Sequence, residues 1–420
     1  MTGAAPRGGA AQVLTEANFG ALFSARALST LGDATATIAV AFGVLSITHS
    51  PTALGLVLAA RFVPLSAVLL IGGVVADRAP RRRIMIGSDV VRAAVQLLLA
   101  AALLWGRTGL WPILGLQAAY GCAEGFFTPA LAGLVPQVVQ PERLRAANAL
   151  LRLTFDLSIV AGPALAGLLV ATAGPGVAIG VDAATFVASA ALLSRVRVGA
   201  PAPSPGGASA VRLLADFREG WAEVLRRPWL SSSIASTMVF GAMVIPGVLV
   251  LGPQLVNQEL GGVRTWSILT AAFGLGAVCG SMASLRVRVH RPAAAVAVLL
   301  AFAAVRPAAL ASGLSLPIVV VLSLGAGMAM STASVLWVAV IQQHVPAGSL
   351  SRVDSIDDFV TLLLTPVGYA LAGPVAAWLG LHQAMAALTV VSLGVSLATL
   401  AVPKVRTLGW VPERAMAGAR

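Results

Sequence analysis

Apolar residues run along this chain in long blocks, and polar residues are confined to the short stretches between them. Twelve such blocks stand out, at about 19–46, 52–76, 84–105, 110–134, 149–171, 175–194, 231–256, 265–285, 292–312, 316–340, 355–378 and 382–402. A helix rises about 1.5 Å per residue, so about 20 apolar residues cross the hydrocarbon core of a bilayer. The pattern predicts an all-α membrane protein with twelve transmembrane helices. The first block is too long for the apolar part of a cleavable signal, and the residues before it lack the charged start of one, so it is expected to remain as a helix. Gly, Ala and Pro are frequent inside the blocks, as where membrane helices pack closely. Gly276-Ala-Val-Cys-Gly280 is one such face of small residues.

The polar stretches then organise the chain. A tail at 1–18 precedes a six-helix bundle at 19–194, a linker at 195–230, a second six-helix bundle at 231–402 and a tail at 403–420. The linker opens with PAPSPGGASA, a flexible composition. It continues as VRLLADFREGWAEVLRRP, where Val211, Leu214, Phe217, Trp221 and Leu225 recur among charges. That spacing predicts an amphipathic helix lying at the membrane surface. The two bundles look like duplicates: Gly162-Pro163-Ala-Leu-Ala-Gly167 returns as Gly368-Tyr-Ala-Leu-Ala-Gly373. At the same offset Asn148 corresponds to Asp354 and Leu144 to Leu350, while Gly73 and Gly280 correspond at one residue more. Repeated six-helix halves related in this way are a transporter signature.

Composition sharpens the reading. The chain is 58% hydrophobic and 10% charged, against about 25% charged in soluble domains. It cannot cover a water-exposed globule and is expected to use the lipid bilayer as its solvent. Its net charge of +12 is unevenly placed. Arginines crowd the loops after even-numbered blocks and both tails, whereas the loops after odd-numbered blocks hold only Arg107 and Arg264. By the positive-inside rule both termini are cytoplasmic. The excess is thus a topology signal, and no nucleic acid is expected as partner. The only lysine is Lys404, so there is no phosphate-binding loop, and neither ATP hydrolysis nor lysine Schiff-base chemistry is expected. The four histidines are scattered, with no metal-ligand spacing, and Cys122 and Cys279, inside apolar blocks, are expected to be small packing residues. With no cofactor site and no paired nucleophile and base, the chain does not read as an enzyme.

Between the second and third blocks stands GGVVADRAPRRR, residues 72–83. Some of its arginines anchor topology. Asp77 is the odd member, placed to pair locally or to face a helix N-terminus. The stretch Gly73-Val-Val-Ala-Asp77-Arg78-Ala-Pro-Arg81-Arg82-Arg83 resembles the loop 2–3 signature of the major facilitator superfamily, Gly-x-x-x-Asp-Arg-x-x-Arg-Arg. The resemblance extends over nearly the whole chain through the helix count, the two halves and the cytoplasmic middle loop. It implies that Gly73, Asp77, Arg78, Arg81, Arg82 and Arg83 form a cytoplasmic latch that holds one access state. Asp354, Asp357 and Asp358 cluster at the start of the eleventh block, where a helix dipole favours acids, and are also candidate partners for Arg81, Arg82 and Arg83. Pro80 stands where the family usually has glycine and stiffens the turn. Stretches 29–45, 125–150 and 217–228 resemble the bacterial branch of siderophore and macrolide exporters. Gly162, Pro163 and Gly167 resemble the helix-five antiporter motif of drug exporters, although Ala149 and Ser158 stand where that motif has glycines.

Ionisable groups inside a membrane are costly and mark function by default. Asp33, in the middle of the first block, is the first candidate for proton coupling, with a static pair to Arg61 as the plain alternative. Glu124, in the middle of the fourth block, is the second. Arg61 and Asp156 are candidates for the substrate pathway. Asp89 with Arg92, and Arg152 with Asp156, are spaced for local salt bridges. Asp182 and Arg306 have no role assigned by sequence. The second bundle lacks an acid matching Asp33 and is expected to supply apolar walls, with Trp266, Trp337, Gln342 and Gln343 as contacts or rim. Such a cavity suits amphipathic or aromatic compounds better than sugars or phosphate.

The expectation is a monomeric secondary transporter in a bacterial inner membrane, with protons and a small molecule as partners, exporting a hydrophobic or amphipathic compound by alternating access. An uptake symporter of the same fold and a non-transporting sensor or scaffold remain open at this point.

Overall fold

The computed structural model of the 420-residue chain describes residues 9–76, 79–106, 108–197, 210–284, 286 and 289–409. In order, its helices are α1 (Gly9–Thr15), α2 (Ala17–Thr48), α3 (Pro51–Ala76), α4 (Arg81–Leu104), α5 (Leu110–Val138), α6 (Leu144–Ala173), α7 (Pro175–Arg195), α8 (Ala210–Leu225) and α9 (Pro228–Val239). They continue as α10 (Ile245–Glu259), α11 (Val263–Ser284), α12 (Pro292–Ala303), α13 (Val305–Ala311), α14 (Leu316–His344), α15 (Ala347–Leu379), α16 (Leu381–Ala401) and α17 (Pro403–Thr407). A 3-10 turn, Pro141–Arg143, leads into α6, and a π turn, Phe240–Val244, joins α9 to α10. No strand occurs among the described residues.

Eleven helical stretches among the described residues are long and apolar enough to cross a membrane. The 29-residue α5 is long enough as well, but Gln117, Tyr120 and Glu124 lower its hydropathy. Counted with α5, the spans number twelve, the fold class that the hydrophobic pattern predicts. Large apolar side chains face outward, among them Leu98 at 59%, Val390 at 67% and Leu397 at 65% exposure. In water that surface would drive aggregation; in hydrocarbon it carries no penalty. Trp105, Trp111 and Trp378 are also exposed near helix ends, where amphipathic rings sit at the interface.

Two blocks read as single helices are not uniform. The seventh contains the π turn between α9 and α10. The ninth breaks at Ala304, between α12 and α13. Pro307 has no N–H and crowds the preceding turn, and the hydroxyl of Thr389 enters the opened ladder. It donates to the Ala304 carbonyl at 2.7 Å and accepts the Ala308 N–H at 3.2 Å. A side chain inserted into the i→i−4 ladder in this way is a standard cause of a break. A second departure concerns the cysteines. Cys122 and Cys279, expected as small packing residues, are exposed.

The chain folds as two compact units, Met1–His49 with Leu56–Gly207, and Ser50–Gly55 with Ala208–Arg420. In the first unit α2 packs on α6 and α7, and α4 on α5 and α7. One end of this unit is a dry cluster of Phe19, Leu22, Met85, Leu134 and Leu193. In the second unit α11 packs on α14, α12 on α14, and α13 on α16. A Cβ on Gly276 or Gly280 would strike the carbonyls of Leu324 and Met328, and one on Gly327 the carbonyl of Phe273. The small-residue face at 276–280 is therefore the α11–α14 seam, where backbones touch. The amphipathic α8 lies on α15, with Gly220 against Arg352 and Ile356, and Glu219 reaching Arg352 at 2.7 Å.

Candidate functional site

The interior of the first unit holds a polar network that its packing glycines make possible. Gly121 of α5 lies against the Arg61 carbonyl of α3, closer than any Cβ would permit. One helical turn further along α5 comes Glu124, opposite the Arg61 side chain. The guanidinium then meets the carboxylate edge on, with Nε donating to Oε2 at 2.9 Å and Nη2 to Oε1 at 3.0 Å. This bidentate fork is the geometry in which arginine binds carboxylate most strongly. Ser88 of α4 donates to the Ala123 carbonyl at 2.7 Å, tying a third helix to the same turn.

Asp33 of α2 stands between two cations. Its Oδ1 lies 3.5 Å from Arg61 Nη2 and its Oδ2 3.6 Å from Arg92 Nη1. Tyr120 of α5 donates its hydroxyl to Oδ1, and the Arg61 guanidinium stacks 4.5 Å from the Tyr120 ring centre. Gly162 of α6 lies against Ala34, next to Asp33, and a Cβ there would collide with it. Thus the helix-five glycine of the antiporter-like motif, with Pro163 and Gly167 buried beside it, sets how closely α6 approaches the Asp33 turn.

Behind Asp33 the network continues away from water. Arg92 is 1% exposed and bonds Asp89, 0% exposed, at 2.5 Å. Its guanidinium carbon lies 4.3 Å from the Phe186 ring centre and 4.6 Å from that of Phe127. Ser189 of α7 donates to the second Asp89 oxygen at 2.6 Å. Asp182, also on α7 and fully buried, accepts from Gln96 Nε2 at 2.5 Å. No ion pair to Asp182 occurs among the described residues.

A cavity of about 220 Å³ opens onto the front of this network. Asp33, Arg61, Arg92 and Glu124 line it, together with Arg26, Thr30, Thr37, Phe127, Phe155 and Ser158. Asp33 and Glu124 are 19% and 23% exposed there, enough for water to reach both carboxyls. The described acids of the network number four, Asp33, Asp89, Glu124 and Asp182, against three guanidiniums, Arg26, Arg61 and Arg92. With all of them ionised the formal sum is −1, and one proton brings it to zero. Among the described residues no group of His, Cys, Asp and Glu could hold a metal.

The sequence-predicted residues fall into three groups. Asp33, Glu124 and Arg61 come together at the cavity, with Gly162 beside them. Asp156 does not line it: its carboxylate pairs with Arg152 at 3.1 Å on an exposed face, where Arg152 is 70% exposed. The third group is the loop signature. Asp77 and Arg78 lie outside the described residues, as do the surroundings of Gly73, Asp354 and Asp358. Arg81 opens α4 and donates to the Gly133 carbonyl at 2.6 Å, while Arg82 donates to Leu193 at 2.9 Å and to Ser194. Arg83 continues the first turn of α4, its N–H bonded to the Pro80 carbonyl at 2.8 Å. In the second unit Asp357 accepts from Trp337 Nε1 at 2.7 Å and from Thr237 at 3.2 Å.

Asp89 and Arg92 form the local pair that their spacing predicts; beyond it, α4 turns both inward and Arg92 reaches Asp33 of α2. Other members escaped the sequence reading. Arg26 lines the cavity near the Phe127 ring; it lies inside the first apolar block, a position that alone flags function. Tyr120, Gln96 and Ser189 carry no such signal, since neutral polar residues are ordinary in membrane helices.

The family described as transmembrane secretion effector (MFS_3) matches residues 9–418. The multidrug efflux pump Tap of Mycolicibacterium fortuitum is 28% identical over 88% of this chain and 92% of its own length. The enterobactin exporter EntS of Shigella boydii is 31% identical over 64% of each chain. YkuC of Bacillus subtilis, an MFS-type transporter, is 31% identical over 63% of each. The chain thus spans just under two thirds of the length of the last two. Among solved structures, a bacterial homologue of the lysosomal transporter Spinster superposes with TM-score 0.70 at 15% identity, covering 98% of this chain and 100% of that one. A bacterial homologue of the iron transporter ferroportin gives TM-score 0.70 at 16% identity, over 91% and 98%. At such identities these two establish the fold alone.

Proposed function

The chain belongs to the transmembrane secretion effector family of major facilitator transporters, a multi-pass membrane protein with efflux relatives, and we propose that it exports a hydrophobic or amphipathic small molecule from the bacterial cytoplasm in exchange for protons. It would do so across the inner membrane, with both termini cytoplasmic.

The observation that carries the reading is Asp33, a water-reachable carboxyl held at 3.5 and 3.6 Å between two guanidiniums. Ionised, it ties α2 to α3 and α4 through Arg61 and Arg92. Protonated, it loses the charge that both arginines face, and those helices are free to shift relative to α2. Glu124 keeps its own bidentate hold on Arg61 throughout, so one proton at Asp33 resets the network without leaving Arg61 unpaired. Buried charges in hydrocarbon stay only where they are compensated, which makes a one-proton switch between two compensated arrangements physically accessible. Coupling follows if the cargo enters the cavity in only one of them.

The aromatic and apolar lining, Phe127, Phe155 and Ile159, supports an amphipathic cargo, as do the efflux relatives. The loop signature, Gly73, Asp77, Arg78, Arg81, Arg82 and Arg83, would latch the cytoplasmic side as the family resemblance implies. The test uses protein reconstituted in liposomes with a trapped pH indicator and a panel of lipophilic dyes. A dye that moves protons in the wild type and not in Asp33→Asn supports the reading. Dye movement with no accompanying proton flux in the wild type removes proton coupling.

A further inference from the structure

The second unit contains a charge that none of its described residues balances. Between Pro292 and Ser351 the sequence has one residue among Asp, Glu, Lys and Arg, which is Arg306. The spans α9–α10, α11 and α16 contain no other apart from Glu259 and Arg264 at helix ends, and Asp357 and its neighbours lie in the first turns of α15. Arg306 is nevertheless buried, 8% exposed, just past the break that separates α12 from α13. A cation so placed needs a counter-charge or a dense set of acceptors. Among the described residues its Nε and Nη2 have neither.

Those two nitrogens form one edge of the guanidinium, and that edge has a clear use elsewhere in this molecule. Arg61 offers the same Nε and Nη2 to the Glu124 carboxylate at 2.9 and 3.0 Å. The surroundings of Arg306 are built for a desolvated cation. The Phe273 ring centre lies 4.6 Å and the Trp266 ring centre 5.7 Å from its guanidinium carbon. These residues are seven apart on one face of α11. Trp266 is fixed in turn by Gly252 of α10, where a Cβ would strike the indole. On the other side Thr389 holds the helix break open, bonded to Ala304 and Ala308. Aromatic faces stabilise the cation without occupying its N–H groups.

We propose that Arg306, walled by Trp266 and Phe273, is a binding site for a carboxylate supplied from outside the chain. The planar fork selects a carboxylate over a spherical halide. The site stands on the geometry of the second unit and does not depend on the export reading. The carboxylate comes either free from solution or as the head of an amphipathic molecule.

The test is thermal unfolding of the full chain in lipid nanodiscs with acetate, benzoate and the neutral isostere benzamide. Benzoate is expected to raise the midpoint of the wild type by a few degrees, about what ligand at ten or more times its Kd produces, with benzamide inactive. A rise with acetate as well assigns the site to free anions; a rise with benzoate alone assigns it to amphipathic carboxylates. The response should vanish in Arg306→Gln and weaken in Arg306→Lys, which keeps the charge and loses the fork. Phe273→Glu gives Arg306 an internal partner, so it should unfold at a higher temperature than the other variants and ignore benzoate. Equal shifts with benzoate and benzamide, no shift with either carboxylate, or a benzoate response retained in Arg306→Gln would each overturn the proposal. If Arg306→Gln does not fold, a full benzoate response in Phe273→Glu does the same. Benzoate binding without dye transport would remove the export reading and leave this site standing.

Discussion

In the first unit Asp33, Asp89 and Glu124 interlock with Arg61 and Arg92, whereas in the second a single guanidinium, Arg306, faces two aromatic rings and, among the described residues, no acid. The two units share a helical plan and even a crossing glycine. Gly121 lies against a carbonyl of α3, and Gly327, at the offset that relates the repeated motifs, lies against one of α11. What differs is how charge is compensated. A network with its own counter-charges can trade a proton among alternatives and stay near neutrality. A lone cation cannot; it must take its partner from elsewhere. The two units thus differ in chemistry: the proposed ion coupling rests on the compensated network of the first, and the proposed carboxylate site on the single buried cation of the second.

The contrast can be broken most forcefully at the helix crossing. Gly121→Val should cost the most, because its side chain would have to occupy the space of the Arg61 backbone. We expect failure to accumulate as folded protein, read by size-exclusion profile in detergent; a normal profile would mean that the crossing does not position Arg61. Next comes Asp89→Asn, which strips a 1%-exposed guanidinium of its shortest ion pair. Breaking one side of such a buried pair costs about 3–5 kcal/mol. The thermal midpoint should fall by several degrees, whereas Asp156→Asn should leave it unchanged.

A double-mutant cycle on Arg61 and Glu124 probes the network more finely. Glu124→Gln alone should destabilise by about 2–3 kcal/mol, and adding Arg61→Gln should recover part of that loss, since the pair would go together. Additive losses would show that the two side chains act separately. The smallest effect is expected at Arg152→Ala. Its partner Asp156 is 31% and Arg152 itself 70% exposed, and such pairs contribute about 0–1 kcal/mol. Stability and transport should both stay at wild-type levels.

Much of the fold was legible because a bilayer demands it. Twenty-residue apolar blocks and basic loops are hard to miss, and the blocks map onto helices with shifts of a few residues. Asp33 and Glu124 stood out for the same reason, as charges in the wrong solvent. Asp89 and Arg92 were legible as an i,i+3 salt bridge, which the structure contains; their burial and the reach of Arg92 to Asp33 were not, because only the rotation of α4 shows that both point inward. Asp156, which the sequence offers beside Arg61, pairs with Arg152 and lies apart from the cavity that Arg61 lines. The break at Ala304 was half-written in Pro307, but Thr389, 82 residues from it in sequence, is the other half. Long-range partners such as Gln96 for Asp182 and Ser189 for Asp89 have no sequence signal at all.

The most direct test of the central claim is proton movement in liposomes containing the full chain, wild type beside Asp33→Asn, with folded protein and insertion matched. Ethidium, Hoechst 33342 and benzoate-headed amphiphiles serve as candidate cargo. A compound that drives proton flux in the wild type should drive none in Asp33→Asn. Undiminished flux in that variant would contradict the claim and take Asp33 out of the coupling mechanism.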